Sequence, residues 1–224
     1  MLSLLLGVLS IAAIAYVAMC AMLFFTQESA IFYPGPNDAR LARQHAKSRI
    51  EIGSLEGWWV ENPAATHDLV ILYFGGNAED VLYTAGTLPL LGARRMLVVN
   101  YRGYGASRGR PGQRELYEDA LAIYDYAVST GLRSEQIVVM GRSLGSGVAS
   151  MIAGSRAVRA AVLITPFDSL AAVAAGHYPI FPVRLLLRHP FPSAEWARKA
   201  RAPALILAAE QDDIVPARHA KRLS

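Results

Sequence analysis

The hydrophobic residues of this chain fall mainly into short, nearly continuous runs that recur at a regular pace. Five runs have the length and composition of strands buried on both faces, and they cover residues 69–74, 96–99, 137–140, 161–164 and 204–207. Strands of this kind occur in parallel sheets that are covered by helices on both sides. The pattern therefore predicts a central, mostly parallel sheet.

Helix and hairpin patterns lie between and before these runs. Residues 114–128 form the clearest helix, with apolar residues four, three and four positions apart and a glycine just beyond the end. Residues 50–53 and 55–60 look like a short antiparallel pair around Gly53 and Ser54. Strands that alternate with helices predict an α/β fold with a doubly wound sheet and right-handed crossovers.

The first 25 residues contain no Asp, Glu, Lys or Arg. A helix of that length, rising about 1.5 Å per residue, spans a hydrocarbon core of about 30 Å. A cleaved signal peptide is the alternative, but there is no basic region beyond the amino terminus and no clear cleavage site before Glu28. We interpret residues 1–26 as a single transmembrane anchor, 27–49 as an extended linker, and 50–224 as one α/β domain with a cap-like insertion at 170–201.

Charge and cysteine content exclude several classes of protein. The net charge of +4 is a mild excess in a mixture of signs, so nucleic-acid binding is not suggested. Cys20, the only cysteine, lies in the predicted anchor, so an intramolecular disulfide and a cysteine-rich zinc site are excluded. We expect no metal and no cofactor. Basic residues at 40–49 favour a cytoplasmic position for the domain, although they begin about 15 residues from the anchor, where the positive-inside tendency fades.

The third apolar run leads into Gly-x-Ser-x-Gly at 141–145 and then into an alanine-rich helical segment. A serine on such a strand-to-helix turn has a cramped backbone, and Gly141 and Gly145 are needed because a Cβ would collide in the bend. Ser143 would then project above the sheet. The N–H of Leu144, at the helix N-terminus, could meet a developing oxyanion.

Two other strand ends carry residues that suit the same chemistry. Gly75, Gly76 and Asn77 follow the first run, and these glycines let backbone N–H groups approach a substrate oxygen. Asp212 follows the last run. Each feature has a simpler explanation by itself: a helix-entry loop, a serine at a helix N-terminus, or an exposed acidic turn. Because ligands of such sheets bind at the carboxyl ends of the strands, we expect the three features to form one site.

The motifs at 74–80, 100–105, 141–147 and 212–216 together resemble the α/β-hydrolase superfamily. More narrowly, residues 27–216 are similar to its membrane-anchored serine-hydrolase branch, which includes lysophospholipase-like lipases and protein depalmitoylases. The resemblance implies that Ser143 is the nucleophile, Asp212 the acid in preference to Asp213, and the N–H groups of Asn77 and Leu144 the oxyanion hole. It further implies two-step acyl transfer from an ester or thioester of a small or lipid-like acyl substrate.

The general base is missing from this pattern. In the α/β-hydrolase order the histidine follows the acid, but the sequence ends at Ser224, 12 residues after Asp212. His219, seven positions after the acid, is poorly placed to reach Ser143, and His177 is the best of the other histidines. One hypothesis is a C-terminally incomplete serine hydrolase with an exposed apolar sheet edge at 204–207. The alternative is a non-catalytic membrane protein that uses the fold for binding.

Overall fold

The computed structural model describes residues 1–35 and 38–223. Pro36 and Asn37, in the predicted linker, and Ser224, at the end of the predicted domain, lie outside the described residues. The described part contains one seven-stranded sheet. Its strands are β1 (Arg49–Ile52), β2 (Leu55–Glu61), β3 (His67–Phe74), β4 (Ala93–Val99), β5 (Ile137–Arg142), β6 (Ala160–Ile164) and β7 (Ala204–Leu207).

The order of the strands across the sheet is β1-β2-β4-β3-β5-β6-β7. β1 and β2 form the predicted antiparallel hairpin, and β2 also runs antiparallel to β4. The remaining strands, β4, β3, β5, β6 and β7, run parallel to one another. The prediction of a doubly wound, mostly parallel sheet is therefore confirmed, and all five apolar runs are strands of that sheet.

Helices cover both faces of the sheet. They are α1 (Leu2–Ile31), α2 (Ala39–Gln44), α3 (Val81–Ala85), α4 (Leu88–Leu91), α5 (Gln113–Ser129), α6 (Leu144–Ser155), α7 (Leu170–His177), α8 (Val183–Leu186) and α9 (Ser193–Ala197). Successive residues of a strand point to opposite faces. Leu72 and Phe74 of β3 therefore pack into the core below α5 and α6, whereas Ile71 and Tyr73 pack into the core below α3 and α4.

The region after the apolar N-terminal stretch differs from the extended linker that we expected. α1 is a 30-residue helix that continues to Ile31, and residues 39–44 form the short helix α2. Residues 27–31 contain no proline or glycine, so nothing in the chain stops the helix there. Gln27 also makes contacts that hold this last turn: its side-chain amide donates to the carbonyl of Leu186 at 3.1 Å and its Oε1 accepts from the N–H of Arg188 at 2.7 Å.

Residues 170–201, expected to form a cap-like insertion, contain three helices with different neighbours. α7 and α8 contact each other, and α8 contacts α1. α9 instead packs on α6, with Gly154 directly against the backbone of Trp196. The segment therefore consists of two helices next to α1 and one crossover helix on the sheet core.

β7 lies at the edge of the sheet, as expected. Leu205 and Leu207 on this strand are 55% and 46% exposed, which is high for large apolar residues in a sheet. The free edge and its apolar side chains are a surface on which another strand could pair.

Candidate active site

Ser143 lies where β5 turns into α6, and its backbone has the strain predicted for this turn. Its φ of 48° and ψ of −115° lie outside the conformations that most residues adopt. The N–H of Ser143 donates to the carbonyl of Ile164 in β6 at 2.9 Å, which fixes the turn to the sheet. Leu144 is the first residue of α6, so its N–H has no carbonyl of the preceding turn to bind.

The two glycines around Ser143 permit close backbone contacts. A Cβ at Gly141 would overlap the carbonyl of Gly145, and a Cβ at Gly145 would overlap the carbonyls of Phe74 and Gly75. α6 therefore begins directly against the end of β3. This contact brings the serine turn next to the glycine loop, two elements that lie 64 or more residues apart in the sequence.

The loop after β3 is held in place by three hydrogen bonds from two other segments. The carbonyl of Gly75 accepts from the Tyr101 hydroxyl at 2.9 Å. The Oδ1 atom of Asn77 accepts from the backbone N–H of Tyr33 and from the Tyr104 hydroxyl, both at 2.8 Å. Ala78 has a φ of 58°, so the backbone turns sharply immediately after Asn77. The side-chain oxygen of Asn77 is thus a structural acceptor, and its backbone N–H has no hydrogen bond to any of the described residues.

Glu79 is a central residue of this loop that the sequence analysis did not identify. Its carboxylate accepts from the N–H of Gly76 and the hydroxyl of Tyr73, both at 2.7 Å, and from Thr84. It also forms an ion pair with Arg142, the residue before Ser143, at 3.3 Å. Burial and the neighbouring Glu79 carboxylate raise the pKa of the Tyr73 phenol, so this phenol remains a proton donor. Glu79 therefore connects the glycine loop to the serine turn.

Arg102, in the motif at 100–105, binds a helix. Its Nε donates to Asp119 of α5 at 2.7 Å. The motif at 100–105 thus anchors itself on α5 through Arg102 and supports the glycine loop through Tyr101 and Tyr104. Two tyrosines in a glycine-rich turn at a strand end were the available sequence signal for this role.

Tyr104→Phe is expected to loosen Asn77 without unfolding the protein. One of the two donors to Asn77 Oδ1 is lost, and a neutral hydrogen bond contributes about 1 kcal/mol net, so the free energy of unfolding should fall by about that amount. Urea unfolding measures this change. Tyr126→Phe, on α5, is the matched control and should unfold as the wild type does.

Asp212 lies in the loop after β7, as expected, and is half-buried. Its Oδ1 accepts from the N–H groups of Ile214 at 2.9 Å and Val215 at 2.8 Å, so the carboxylate closes its own turn. β6 separates β7 from β5, and two strand spacings amount to about 10 Å. A gap of this size between the strand ends leaves room for an imidazole between Asp212 and Ser143.

All five histidines are among the described residues, and none of them has a hydrogen bond to the side chain of Ser143 or Asp212. His177 approaches the acid loop most closely, with its Nε2 2.9 Å from the carbonyl oxygen of Ile214. The Nδ1 atom of His219 lies 2.7 Å from Asp168 Oδ1, and this imidazole is 2% exposed. His219 therefore contacts a second carboxylate, that of Asp168, and not Ser143.

Asp168, in the loop after β6, is the second residue that the sequence analysis missed. Its other oxygen accepts from Arg222 at 3.0 Å. Burial acts to raise the pKa of Asp168, but the hydrogen bonds from His219, Arg222 and the N–H of Ser169 outweigh this effect and lower it. A carboxylate at the carboxyl end of a predicted strand was the sequence signal that could have drawn attention to it.

Asp168→Asn is expected to destabilise the fold at neutral pH by about 1 kcal/mol, because a partly buried charged hydrogen bond is lost. The folded pKa of Asp168 is below the unfolded value of about 3.9, so its contribution is complete above that value. The contribution disappears as the pH falls through the folded pKa. Urea unfolding at pH 7 and pH 3 should therefore show a difference from wild type at pH 7 that shrinks at pH 3. Asp125→Asn, which removes an exposed ion pair with Arg156, should have little effect at either pH.

Comparisons with known proteins agree with the fold. The chain is 37% identical over 172 residues to an uncharacterised protein of Mycobacterium tuberculosis, a match that covers 75% of this chain and 61% of that protein. It is 27% identical over 188 residues to the α/β hydrolase domain-containing protein WAV2 of Arabidopsis thaliana, with the same coverage. It is 28% identical over 193 residues to the lysophosphatidylserine lipase ABHD12 of Macaca fascicularis, covering 74% of this chain and 47% of the lipase. The chain thus spans between about half and two thirds of the length of these relatives.

Solved structures show the same architecture. An α/β hydrolase from Vibrio vulnificus aligns with a TM-score of 0.67 at 20% identity, over 89% of this chain and 77% of that one. The esterase Pf2001 from Pyrococcus furiosus aligns with a TM-score of 0.64 at 15% identity, over 86% and 83%. No family model matches the chain.

The mostly parallel sheet, the strained serine turn and these structural matches define an α/β-hydrolase fold. With the sequence relatives, they show that the chain belongs to the α/β-hydrolase superfamily.

Proposed function

We propose that the protein is a serine hydrolase that cleaves carboxylic ester or thioester bonds of a small or lipid-like acyl substrate. The observation that carries this proposal is the backbone of Ser143, held at a φ of 48° between β5 and α6 and beside the glycine loop of β3. A fold adopts such a conformation only where the surrounding structure imposes it, and such strain is concentrated at functional sites.

In the proposed reaction the Ser143 Oγ attacks the substrate carbonyl carbon as its proton passes to a histidine oriented by Asp212. The N–H groups of Asn77 and Leu144 donate to the oxyanion of the tetrahedral intermediate. Collapse of the intermediate expels the alcohol or thiol, which takes the proton, and leaves an acyl group on Ser143. Water then releases the acid by the same steps in reverse order. Loss of one oxyanion donor in such a site costs about 3 to 4 kcal/mol of transition-state stabilisation.

None of the five histidines contacts the side chain of Ser143 or Asp212, so none of them is in position to act as the base of this mechanism. We therefore propose that it is carried by a part of the full protein outside this sequence, in a position between Asp212 and Ser143. The longer relatives are consistent with this arrangement. The same observation favours a second candidate, a protein that uses the hydrolase fold for binding without catalysis.

α1 is proposed to be a single transmembrane anchor. It is 30 residues long, its most apolar 18-residue window has a mean hydropathy of 2.4, and none of that window is buried against the rest of the described structure. A lipid-like substrate is favoured because one relative is named a lysophosphatidylserine lipase and because α7 and α8 offer an apolar surface next to α1.

A fluorophosphonate probe tests the proposal, because it reacts only with an activated serine. We expect the protein expressed from its native gene to form one adduct, which mass spectrometry locates on Ser143. The 224-residue chain alone should react at least about a thousandfold more slowly, since a base is a triad member. If the native protein forms no adduct, the serine-hydrolase proposal is contradicted and the binding function is favoured.

A further inference from the structure

α1 and the two helices next to it enclose an apolar groove. Its walls on one side are Leu23, Ala30 and Ile31 of α1, and on the other side Ala174, Phe181 and Leu186. The groove is open on one side, has a volume of about 150 Å³, and its lining is almost entirely apolar. An apolar cavity of about this volume binds a ligand the size of benzene, so the groove can hold a section of a hydrocarbon chain.

The groove is fixed by polar contacts at both ends. At one end the Tyr16 hydroxyl donates to the carbonyl of Ile180 at 2.8 Å, and the Tyr16 ring stacks on Phe181 with 5.9 Å between centroids. At the other end Arg188 forms an ion pair with Glu28 at 3.0 Å. Twelve residues of helix separate Tyr16 from Glu28, a length of about 18 Å. The segment 178–188 therefore lies along α1 over this distance.

This arrangement determines how deep segment 178–187 lies if α1 crosses a bilayer. A hydrocarbon core of about 30 Å takes about 20 helical residues. A core that ends just before Glu28, the first charged side chain after the apolar stretch, covers about residues 8–27. Tyr16 is then about 12 Å inside the core, measured along the helix. Ile180 and Phe181 are at the same depth as Tyr16.

The surface of segment 178–187 suits such an environment. Leu185 is 84% exposed, Ile180 69% and Tyr178 54%, an unusual set of neighbours for a surface in water. Arg184 is the one charged residue of this segment, and its long side chain can reach the lipid headgroups.

The groove also ends close to the site. Ile31 lines it, and Tyr33, two residues further, donates its N–H to Asn77 in the glycine loop. Two extended residues span at most about 7 Å. A chain that follows α1 out of the bilayer is therefore directed to the loop beside Ser143.

We propose that segment 178–187 is immersed in the bilayer and that the groove between it and α1 binds one acyl chain of a membrane lipid. The choice of ligand rests on the proposed hydrolase function. The substrate would then reach the site laterally from the bilayer, with its acyl chain along α1 and its ester group near Asn77, without passing through water.

Photolabelling tests the groove. The full chain is placed in phosphatidylcholine nanodiscs that contain a trace of a lysophosphatidylcholine with a diazirine in its acyl chain. After irradiation we expect cross-links on residues 23–31 and 174–187. Ala174→Trp fills the groove and should reduce them by about tenfold, the effect of about 1.4 kcal/mol in binding. Ala106→Trp, at an exposed loop position elsewhere, is the matched control. If the cross-links were spread along α1 and Ala174→Trp did not change them, the proposal that the groove binds an acyl chain would be overturned.

Immersion is tested separately, so that a poorly folded Ala174→Trp protein does not decide the question. In a Cys20→Ser background, an environment-sensitive fluorophore is attached to Ile180→Cys or to Leu90→Cys, a position that is 87% exposed on α4. Brominated lipids should quench the fluorophore at position 180 and not at position 90. Equal quenching at the two positions would overturn immersion.

These outcomes are independent of the chemistry. Ser143→Ala should retain the cross-links. If the protein binds the lipid in the groove but forms no fluorophosphonate adduct, the hydrolase proposal is contradicted and the groove proposal still holds. A protein that forms the adduct but has no cross-links in the groove contradicts only the groove.

Discussion

Asp212→Asn is expected to slow acylation of the native protein by about 1,000- to 10,000-fold. The asparagine keeps an oxygen that can accept from the N–H groups of Ile214 and Val215, so the loop after β7 should keep its shape. What changes is the group that faces the histidine. A neutral amide does not stabilise the imidazolium, and its NH₂ group favours the wrong tautomer. Pre-steady-state kinetics with a chromogenic ester measures the acylation step directly.

Asp213→Asn is the matched control for this prediction. Asp213 is adjacent in sequence and exposed, and no turn contact of the kind made by Asp212 involves its side chain among the described residues. Its replacement should leave the rate within a factor of about two, as is usual for a surface substitution. If Asp213→Asn greatly lowered the acylation rate and Asp212→Asn left it normal, Asp213 would be the catalytic acid. A large loss for Asp168→Asn alone would instead point to the carboxylate that binds His219.

Much of the architecture could be predicted because it depends on local patterns. Buried strands are read from continuous apolar runs, and each of the five runs became a strand of the sheet. The turn at Ser143 is equally local, since its glycines, its strand and its helix lie within about 20 residues. The rule that ligands bind at the carboxyl ends of parallel strands then predicts that residues 75–77, 143 and 212 lie at one edge.

The parts that could not be predicted depend on contacts between distant residues. Glu79 looked like one more acid in a loop, and only the folded chain shows that it joins Gly76, Tyr73 and Arg142. The end of α1 is a similar case, because residues 27–31 are held as a helix by contacts of Gln27 with residues 186–188. No proline or glycine lies in residues 27–31, so the local sequence permitted the helix, but its continuation became clear only from these tertiary contacts.

The serine turn also makes Gly145 an unusual helical residue. In most helices Gly→Ala stabilises by up to about 1 kcal/mol, because alanine has less backbone freedom to lose. At position 145 the added Cβ would overlap the backbone carbonyls of Phe74 and Gly75. Backbone atoms at the end of a central strand cannot move as a flexible side chain can. Gly145→Ala should therefore destabilise the protein by about 3 kcal/mol or more, at the upper end of overpacking effects.

Gly176→Ala is the control that separates this clash from the general effect of alanine in a helix. Gly176 is an exposed residue of α7, and the nearest atom to its Cβ position is the end of the flexible Arg218 side chain, at 3.3 Å. This variant should unfold at the wild-type temperature or slightly above it, whereas Gly145→Ala should lose many degrees or fail to fold. Thermal unfolding in detergent, followed by circular dichroism, compares the two. If both variants unfolded at the wild-type temperature, α6 would not begin against the end of β3, and the proposed alignment of Ser143 with the glycine loop would be wrong.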